Sequence, residues 1–297
     1  MARVAVVSDS TADLSEAQIK QYDLTVVPLT VDLDCKTYSD GVDLSAAEFY
    51  EKLPLSKEIP RTSQPSPQSF VDVYNVLLRN HDSVLSIHIS SQLSGTLNSA
   101  TIASGMVDGN VVTVDTKTAS QGIARSVLIA AEAIGRGWSL EETLAIVRKS
   151  IDQTFSIFAV DTLEYLHRNG RIGRAASYLG SALSLKPILY ADPEGMVAPF
   201  GKVLGRRNVI PKLVEIVQSR ISPDTEVNVS VVHSGAADAA STLLEELNRT
   251  YRVVDHMMGM VGPAIGANVG PGALGIMIQP SFENLALGLE RVFDHGR

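Results

Sequence analysis

Four times along the chain a short β-branched run ends in a hydroxyl-rich or glycine-bearing turn and then gives way to a helical pattern. Residues 4–7 lead into Ser8-Asp9-Ser10-Thr11, and residues 84–89 lead into Ser90-Ser91-Gln92-Leu93-Ser94-Gly95-Thr96 with a helix over 97–103. Residues 111–114 lead into Asp115-Thr116-Lys117-Thr118 and a helix reaching 134; residues 227–232 lead into His233-Ser234-Gly235 and a helix reaching 247. Strands that alternate with helices are joined by crossovers, so the pattern requires an α/β fold with a mostly parallel sheet and helices on both faces. Mid-chain the pattern changes. A strand over 155–160 and helices over 163–166 and 173–185 precede two apolar runs, 186–190 and 196–203, joined by the hairpin turn Asp192-Pro193-Glu194-Gly195. Antiparallel strands at this point predict a second α/β domain with a mixed sheet. The expected organisation is an N-terminal domain over 1–156, a C-terminal domain over 157–280, and an amphipathic helix or tail over 281–297.

A length of 297 residues fits two ordinary domains. Lys+Arg is 25 and Asp+Glu is 33, for a net charge of −8. That balance argues against nucleic acid as a partner and allows at most transient contact with an anionic membrane. The single cysteine, Cys35, excludes an internal disulfide and a cysteine-based zinc site. No apolar leader with a small-residue cleavage site opens the sequence, so the expected location is cytoplasmic. Residues 257–282 contain no charged side chain, a length that would span a membrane. Gly259, Gly262, Pro263, Gly266, Gly270, Pro271, Gly272 and Gly275 oppose one continuous helix there, so the stretch reads as turns leading into a buried strand over 273–278.

The carboxyl end of a parallel strand, where a helix begins, offers unpaired backbone N–H groups and suits carboxylate or phosphate. Each serine or threonine there also serves as an ordinary N-cap. Ser90, Ser91, Ser94 and Thr96 together exceed what one cap requires. Arg61-Thr62-Ser63-Gln64-Pro65-Ser66-Pro67 is a second such loop, in which Ser66-Pro67 reads as the cap and first turn of a helix over 70–78. Gly201 to Asn208 gathers Lys202, Arg206 and Arg207, as an anion contact or a solvated turn. Arg168, Arg171 and Arg174 form a basic turn, as a docking surface or a solvated helix entry. The chain has no Gly-x-x-x-x-Gly-Lys-Ser/Thr, no Gly-x-Gly-x-x-Gly after a strand, no His-Glu-x-x-His and no Gly-x-Ser-x-Gly. The six histidines include no pair at metal-ligand spacing, so no metal site is expected. His88 reads as a core residue, and Asp9 and Asp115 as turn starters. A hydrolase or transferase with Ser94 as nucleophile, acting on a small anionic substrate, is the alternative; it needs a base that the sequence does not nominate.

Several stretches carry a joint signature: Val6-Val7-Ser8-Asp9-Ser10-Thr11-Ala12-Asp13-Leu14, Thr62-Ser63-Gln64-Pro65-Ser66, Leu93-Ser94-Gly95-Thr96 and Val114-Asp115-Thr116. Leu166-His167-Arg168-Asn169-Gly170-Arg171-Ile172, Leu185-Lys186-Pro187-Ile188-Leu189, and Gly262-Pro263 through Gly270-Pro271-Gly272-Ala273-Leu274-Gly275 follow. In this order they resemble the DegV family of bacterial fatty-acid-binding proteins over residues 3–279. The resemblance implies a two-domain α/β carrier without catalytic residues or a cofactor. It would hold one long-chain fatty acid such as palmitate or oleate, for presentation to a partner fatty acid kinase that makes the acyl phosphate. It also implies that Thr62 and Ser94 hydrogen-bond the carboxylate and that Arg206, with Arg207 adjacent, stands near it. Ser63, Gly95, Thr96 and Asn268 complete the expected ligand-binding set. Asn268 replaces the histidine of the family pattern Gly-x-His-Val-Gly-Pro-Gly; its amide can hydrogen-bond but cannot carry charge or relay a proton. At about 0.8 kcal/mol per buried methylene, a long tail would contribute roughly 10 kcal/mol before the costs of binding. Small-residue segments over 180–185 and 259–267 are the candidate tunnel walls.

Overall fold

A computed structural model describes residues 3–180 and 184–289. The first sheet has four parallel strands in the order Thr25–Val27, Val4–Asp9, Ser83–His88 and Asn110–Asp115. Val4–Asp9 and Ser83–His88 are buried at every position, as parallel strands covered on both faces must be. Helices Gln121–Gly135 and Leu140–Gln153 cover one face, burying Ile123, Val127, Ile146 and Val147 against Leu85 and Ile87. Helices Pro67–Leu77 and Thr96–Ser104 cover the other, burying Phe70, Tyr74, Ala100 and Ala103 against Val7 and Val84. Ser66 caps the first of that second pair ahead of Pro67, as the sequence predicts, and Ser139 forms a capping box with Glu142.

The second sheet is mixed. Its six strands run in the order Val197–Leu204, Leu185–Ala191, Phe155–Ala159, Leu274–Pro280, Glu226–His233 and Arg252–Met260. All neighbours are antiparallel except the last pair. The hairpin turn over 192–195 is closed by the Asp192 carboxylate, which accepts from the amides of Glu194 and Met196. Helices Val209–Gln218 and Ala237–Thr250 seal one face with Leu213, Val217, Leu243 and Leu247. Strand alternation then divides Leu274–Pro280: Ile276 and Ile278 pack on the helices, while Gly275 and Met277 face the loops of the first sheet.

Some elements depart from the sequence pattern. A third, antiparallel sheet of Lys36–Ser39, Thr30–Leu33 and Arg61–Ser63 was not expected; its strands are three or four residues long, too short for an alternation to register. Glu226–His233 is parallel only to the edge strand Arg252–Met260, not part of a run of parallel strands. The helix expected over 173–185 is a 3₁₀ segment, Gly173–Tyr178, bounded by positive φ at Gly173 (51°) and Gly180 (82°), which stop an α-helix; residues 181–183 lie outside the described residues. Over 281–297 the helix is Phe282–Ala286, and residues from 290 onward lie outside the described ones. This helix packs on the first sheet's core, with Phe282 edge-on to Trp138 at 5.6 Å between ring centres. The uncharged stretch over 257–282 is divided among a strand end, the helix Pro263–Val269 and the strand Leu274–Pro280. Among the described residues no helix is long and apolar enough to cross a membrane.

Polar ties hold the two sheets face to face. Arg125 reaches out of the first core, donating through Nε to Ser230 Oγ at 2.8 Å and through its terminal nitrogens to Asp255 and the Val229 carbonyl. Ser90 Oγ donates to the Gly195 carbonyl at 2.7 Å. A Cβ at Gly195 would lie 2.3 Å from that hydroxyl, so only glycine lets the hairpin turn seat on the Ser90 loop.

Candidate ligand-binding site

The space left between the sheets is a cavity of about 390 Å³, a size typical of small-molecule sites. Leu166, Phe158, Val232, Gly275, Met277 and Ile265 give it apolar walls. Polar groups converge from three directions. Thr62 and Ser63 come from the strand Arg61–Ser63, held in register by pairing with Val31 and Thr30. Their hydroxyls make no hydrogen bond among the described residues. Ser94 comes from the loop after Ser83–His88, where its amide donates to the Ser90 carbonyl. Asn268 comes from the last turn of Pro263–Val269.

Gly95 and Thr96 stand behind this wall, outside the cavity lining. Thr96 is buried, with its Oγ1 2.8 Å from Ser94 Oγ and its amide donating to the same oxygen at 3.3 Å, so it orients the Ser94 hydroxyl. A Cβ at Gly95 would fall 2.0 Å from Gln64 Oε1; the missing side chain lets Gln64 line the cavity and donate to Ser99 Oγ at 3.1 Å. Arg206 does not line the cavity. It pairs with Asp161 at 2.8 Å on a separate face of the second sheet. The cation on the cavity wall is Arg171, whose Nε donates to the Leu93 carbonyl at 3.2 Å and whose Nη1 donates to the Asn169 carbonyl at 2.7 Å. Those bonds leave the other terminal nitrogen free to meet an anion. Asn268 Nδ2 donates to the Ala264 carbonyl at 2.9 Å, while its Oδ1 is buried without a partner. Of the two candidate tunnel segments, 259–267 contributes Val261, Ala264 and Ile265; no described residue of 180–185 reaches the cavity.

The helix that carries Asn268 is anchored by carboxyl groups of the first unit. Asp13 accepts from the Gly262 amide at 2.9 Å and from Ser120 Oγ; Asp40 accepts from the Ala264 amide at 3.4 Å and from Ser10 Oγ at 2.7 Å. Burial pushes Asp13 up to about 8 and Asp40 up to about 6, with the neighbouring carboxylates adding to the rise and the hydrogen bonds opposing it. Deeper still, Asp9 accepts from the Thr11 and Ile89 amides and from Thr11 Oγ1, and lies 2.9 Å from His88 Nδ1. Tyr74 donates to Ser86 Oγ, leaving Ser86 to donate to His88 Nε2 at 2.7 Å. His88 is therefore a fully satisfied core residue, Asp9 is a turn former, and Asp115 likewise accepts from the Lys117 amide. Among the described residues no group of three His, Cys, Asp or Glu could hold a metal. Ser94 has Thr96 as its side-chain partner and no acid or imidazole.

The model of the DegV family, whose members it describes as uncharacterised, matches residues 3–281. A DegV domain-containing protein of Deinococcus radiodurans is 37% identical over 280 residues, 93% of this chain and 98% of its own length. This chain belongs to the DegV family. Protein DegV of Bacillus subtilis is 34% identical over 275 residues, covering 92% of this chain and 98% of that protein. Among solved structures, a fatty-acid-binding DegV family protein from Thermus thermophilus superposes with a TM-score of 0.89 at 35% identity, covering 94% of this DegV-family chain and all (100%) of the other. The crystal structure of DegV from Bacillus subtilis, described as a fatty acid binding protein, gives a TM-score of 0.87 at 33% identity, over 95% of this chain and 100% of that one. The two-domain α/β architecture is thus shared with these two DegV proteins.

The sequence singled out Thr62, Ser63, Ser94 and Asn268, which meet at one end of the cavity. It read Arg171 as part of a basic turn, a docking surface or a solvated helix entry. A signal was available: Arg171 sits in the same quoted motif as Leu166, which also lines the cavity. Phe158, Val232, Gly275 and Met277 carried only strand alternation, which says that a residue faces away from the helices but not that space lies beyond it.

Proposed function

We propose that this chain binds one long-chain fatty acid, such as palmitate or oleate, and presents its carboxyl group to a partner fatty acid kinase that forms the acyl phosphate. The observation that carries the reading is an apolar cavity between two sheets with unspent hydroxyls and a guanidinium gathered at one end. The tail supplies most of the affinity through buried methylenes. Thr62, Ser94 and Arg171 hold the carboxylate through hydrogen bonds, charge-assisted from Arg171, and fix its direction, with Ser63 and Asn268 beside them. Gly95 and Thr96 shape this end from behind, and Arg206 has no part in it. Fatty-acid binding by the relatives from Thermus thermophilus and Bacillus subtilis supports the ligand class. The kinase partner rests on the resemblance of the sequence motifs, and the work would take place in the cytoplasm. A nucleophilic role for Ser94 is disfavoured because no base contacts it.

Native mass spectrometry of the purified protein, followed by denaturing lipid extraction, tests this directly. One fatty acid per chain is expected, with Ser94→Ala and Arg171→Ala each lowering affinity about tenfold and Arg206→Ala leaving it within about twofold. A protein that is empty and takes up neither palmitate nor oleate refutes the proposal.

A further inference from the structure

We propose that the cavity carries a recognition point for an oxygen substituent on the acyl chain itself, formed by the hydroxyls of Thr118 and Ser156; this rests on the fatty-acid reading above. Both side chains line the cavity, and both residues are buried. Thr118 Oγ1 and Ser156 Oγ lie 2.9 Å apart and have no other hydrogen bond among the described residues. Two hydroxyls bring two protons, and their mutual bond uses one. The second proton has no acceptor among the described residues, which is unfavourable unless a ligand or water supplies one; the pair stands where the apolar cavity adjoins a more polar cleft lined by Thr116, Asp152 and Tyr190. The other hydroxyls lining that part of the wall differ. Thr11 and Ser120 instead have side-chain carboxyl groups as partners, Asp9 and Asp13.

Two further features hold the pair in place. Gly122 lies in the first turn of Gln121–Gly135, and a Cβ there would come within 2.7 Å of Thr118 Cγ2, 2.8 Å of Thr118 Oγ1 and 3.3 Å of Ser156 Oγ. Glycine is a poor helix residue, and here its absent side chain is the space the pair occupies. Lys117, next to Thr118, and Ser120, two residues on, are both held at positive φ (54° and 55°). Backbone of that kind is unfavourable for non-glycine residues and gathers at ligand clamps.

The Thr118 carbonyl accepts from the Ser90 amide at the start of the Ser94 loop, but along the second sheet the pair is displaced from the carboxylate end. Ala273 packs with Leu93, Leu166 and Val269, the neighbours of Ser94 and Asn268. Four residues further along the strand is Met277, whose cross-strand partner is Ser156. At about 3.3 Å per residue, the hydroxyls lie about 13 Å beyond the level of Ala273. An oxygen there belongs to the body of the chain and not to its head. A secondary alcohol suits the pair because it accepts the unspent proton and donates to a hydroxyl lone pair.

The test is displacement of a fluorescent fatty acid from lipid-stripped protein by stearate, 10-hydroxystearate and 12-hydroxystearate. At least one hydroxylated acid is expected to bind about fivefold more tightly than stearate, the worth of one net hydrogen bond. Thr118→Val and Ser156→Ala should remove that preference, read as the ratio of hydroxystearate to stearate affinity within each variant. Equal affinities in the unsubstituted protein, or a preference that survives both changes, overturn the inference even if a variant folds poorly. Failure of stearate and both hydroxylated acids to bind would instead overturn the fatty-acid reading, and this inference with it.

Discussion

Raising the pH from 5 to 7 is expected to weaken this fold through the two carboxyl groups that anchor the helix Pro263–Val269. Asp13 titrates near 8 and Asp40 near 6 in the folded protein, against an ordinary value of 3.8. Between the ordinary and the folded value the native state holds a proton that the unfolded chain has released. Stability therefore falls as pH rises across that window and levels off above it. Each group contributes about 1.4 kcal/mol per pH unit. From pH 5 to 7 Asp13 acts over the whole interval and Asp40 over the first half; because Asp13 is only partly buried, the sum is taken as about 2–4 kcal/mol. Urea unfolding of lipid-stripped protein at several pH values reads this out, since a bound fatty acid would add its own linkage. Asp13→Asn should flatten the profile above pH 6. Asparagine tolerates the left-handed backbone at this position, where φ is 52°, and its amide can still accept from the Gly262 N–H. A stability that is flat or rising from pH 5 to 7, or an Asp13→Asn protein that keeps the original slope, refutes the reasoning.

Other changes have equally definite outcomes. Arg125→Met leaves Ser230 Oγ and the Val229 carbonyl without their buried donor, and the urea midpoint should report a loss of about 2–3 kcal/mol. Gly275→Leu projects into the cavity beside Val232 and Phe158, 3.0 and 3.2 Å from its Cβ; displacement assays should show affinity for stearate falling at least about tenfold while laurate is less affected. Phe282→Ala should cost about 3–5 kcal/mol and shift the emission of Trp138, the single tryptophan, to longer wavelength.

Three strands of the first sheet, Val4–Asp9, Ser83–His88 and Asn110–Asp115, were legible because each is six residues long, rich in β-branched residues and followed by a turn and a helical pattern; Thr25–Val27, only three residues long, was not. The hairpin over 192–195 was legible because aspartate, proline and glycine stand where the turn needs them. The three-stranded sheet over 30–63 was not, because Val31 and Leu33 gain their burial from Leu44, Phe49 and Ala264, contacts that no local pattern encodes, and Arg61–Ser63 is a largely exposed three-residue strand defined only by its pairing with Thr30–Leu33. The same limit applies to the ligand end. Thr62 and Ser94 stood out because a cap did not need them. Arg171 and Arg206 are chemically alike, and only the folded chain sends one to the Leu93 carbonyl and the other to Asp161.

The order in which these parts leave the ribosome makes the short helix Phe282–Ala286 consequential. The first sheet and its helices are fully translated by Gln153, yet Phe282 and Leu285, which complete that core, are added only after the whole second sheet. Synthesis at about 5–20 residues per second puts the gap between Gln153 and Phe282 at roughly 6–26 s. During that interval the groove around Trp138, Leu140 and Leu144 stands open in the nascent chain. A trigger-factor-type chaperone or a premature stop codon would therefore meet a nearly finished domain with an apolar seam exposed, so quality control of this protein is expected to depend on whether synthesis passes Phe282 and Leu285.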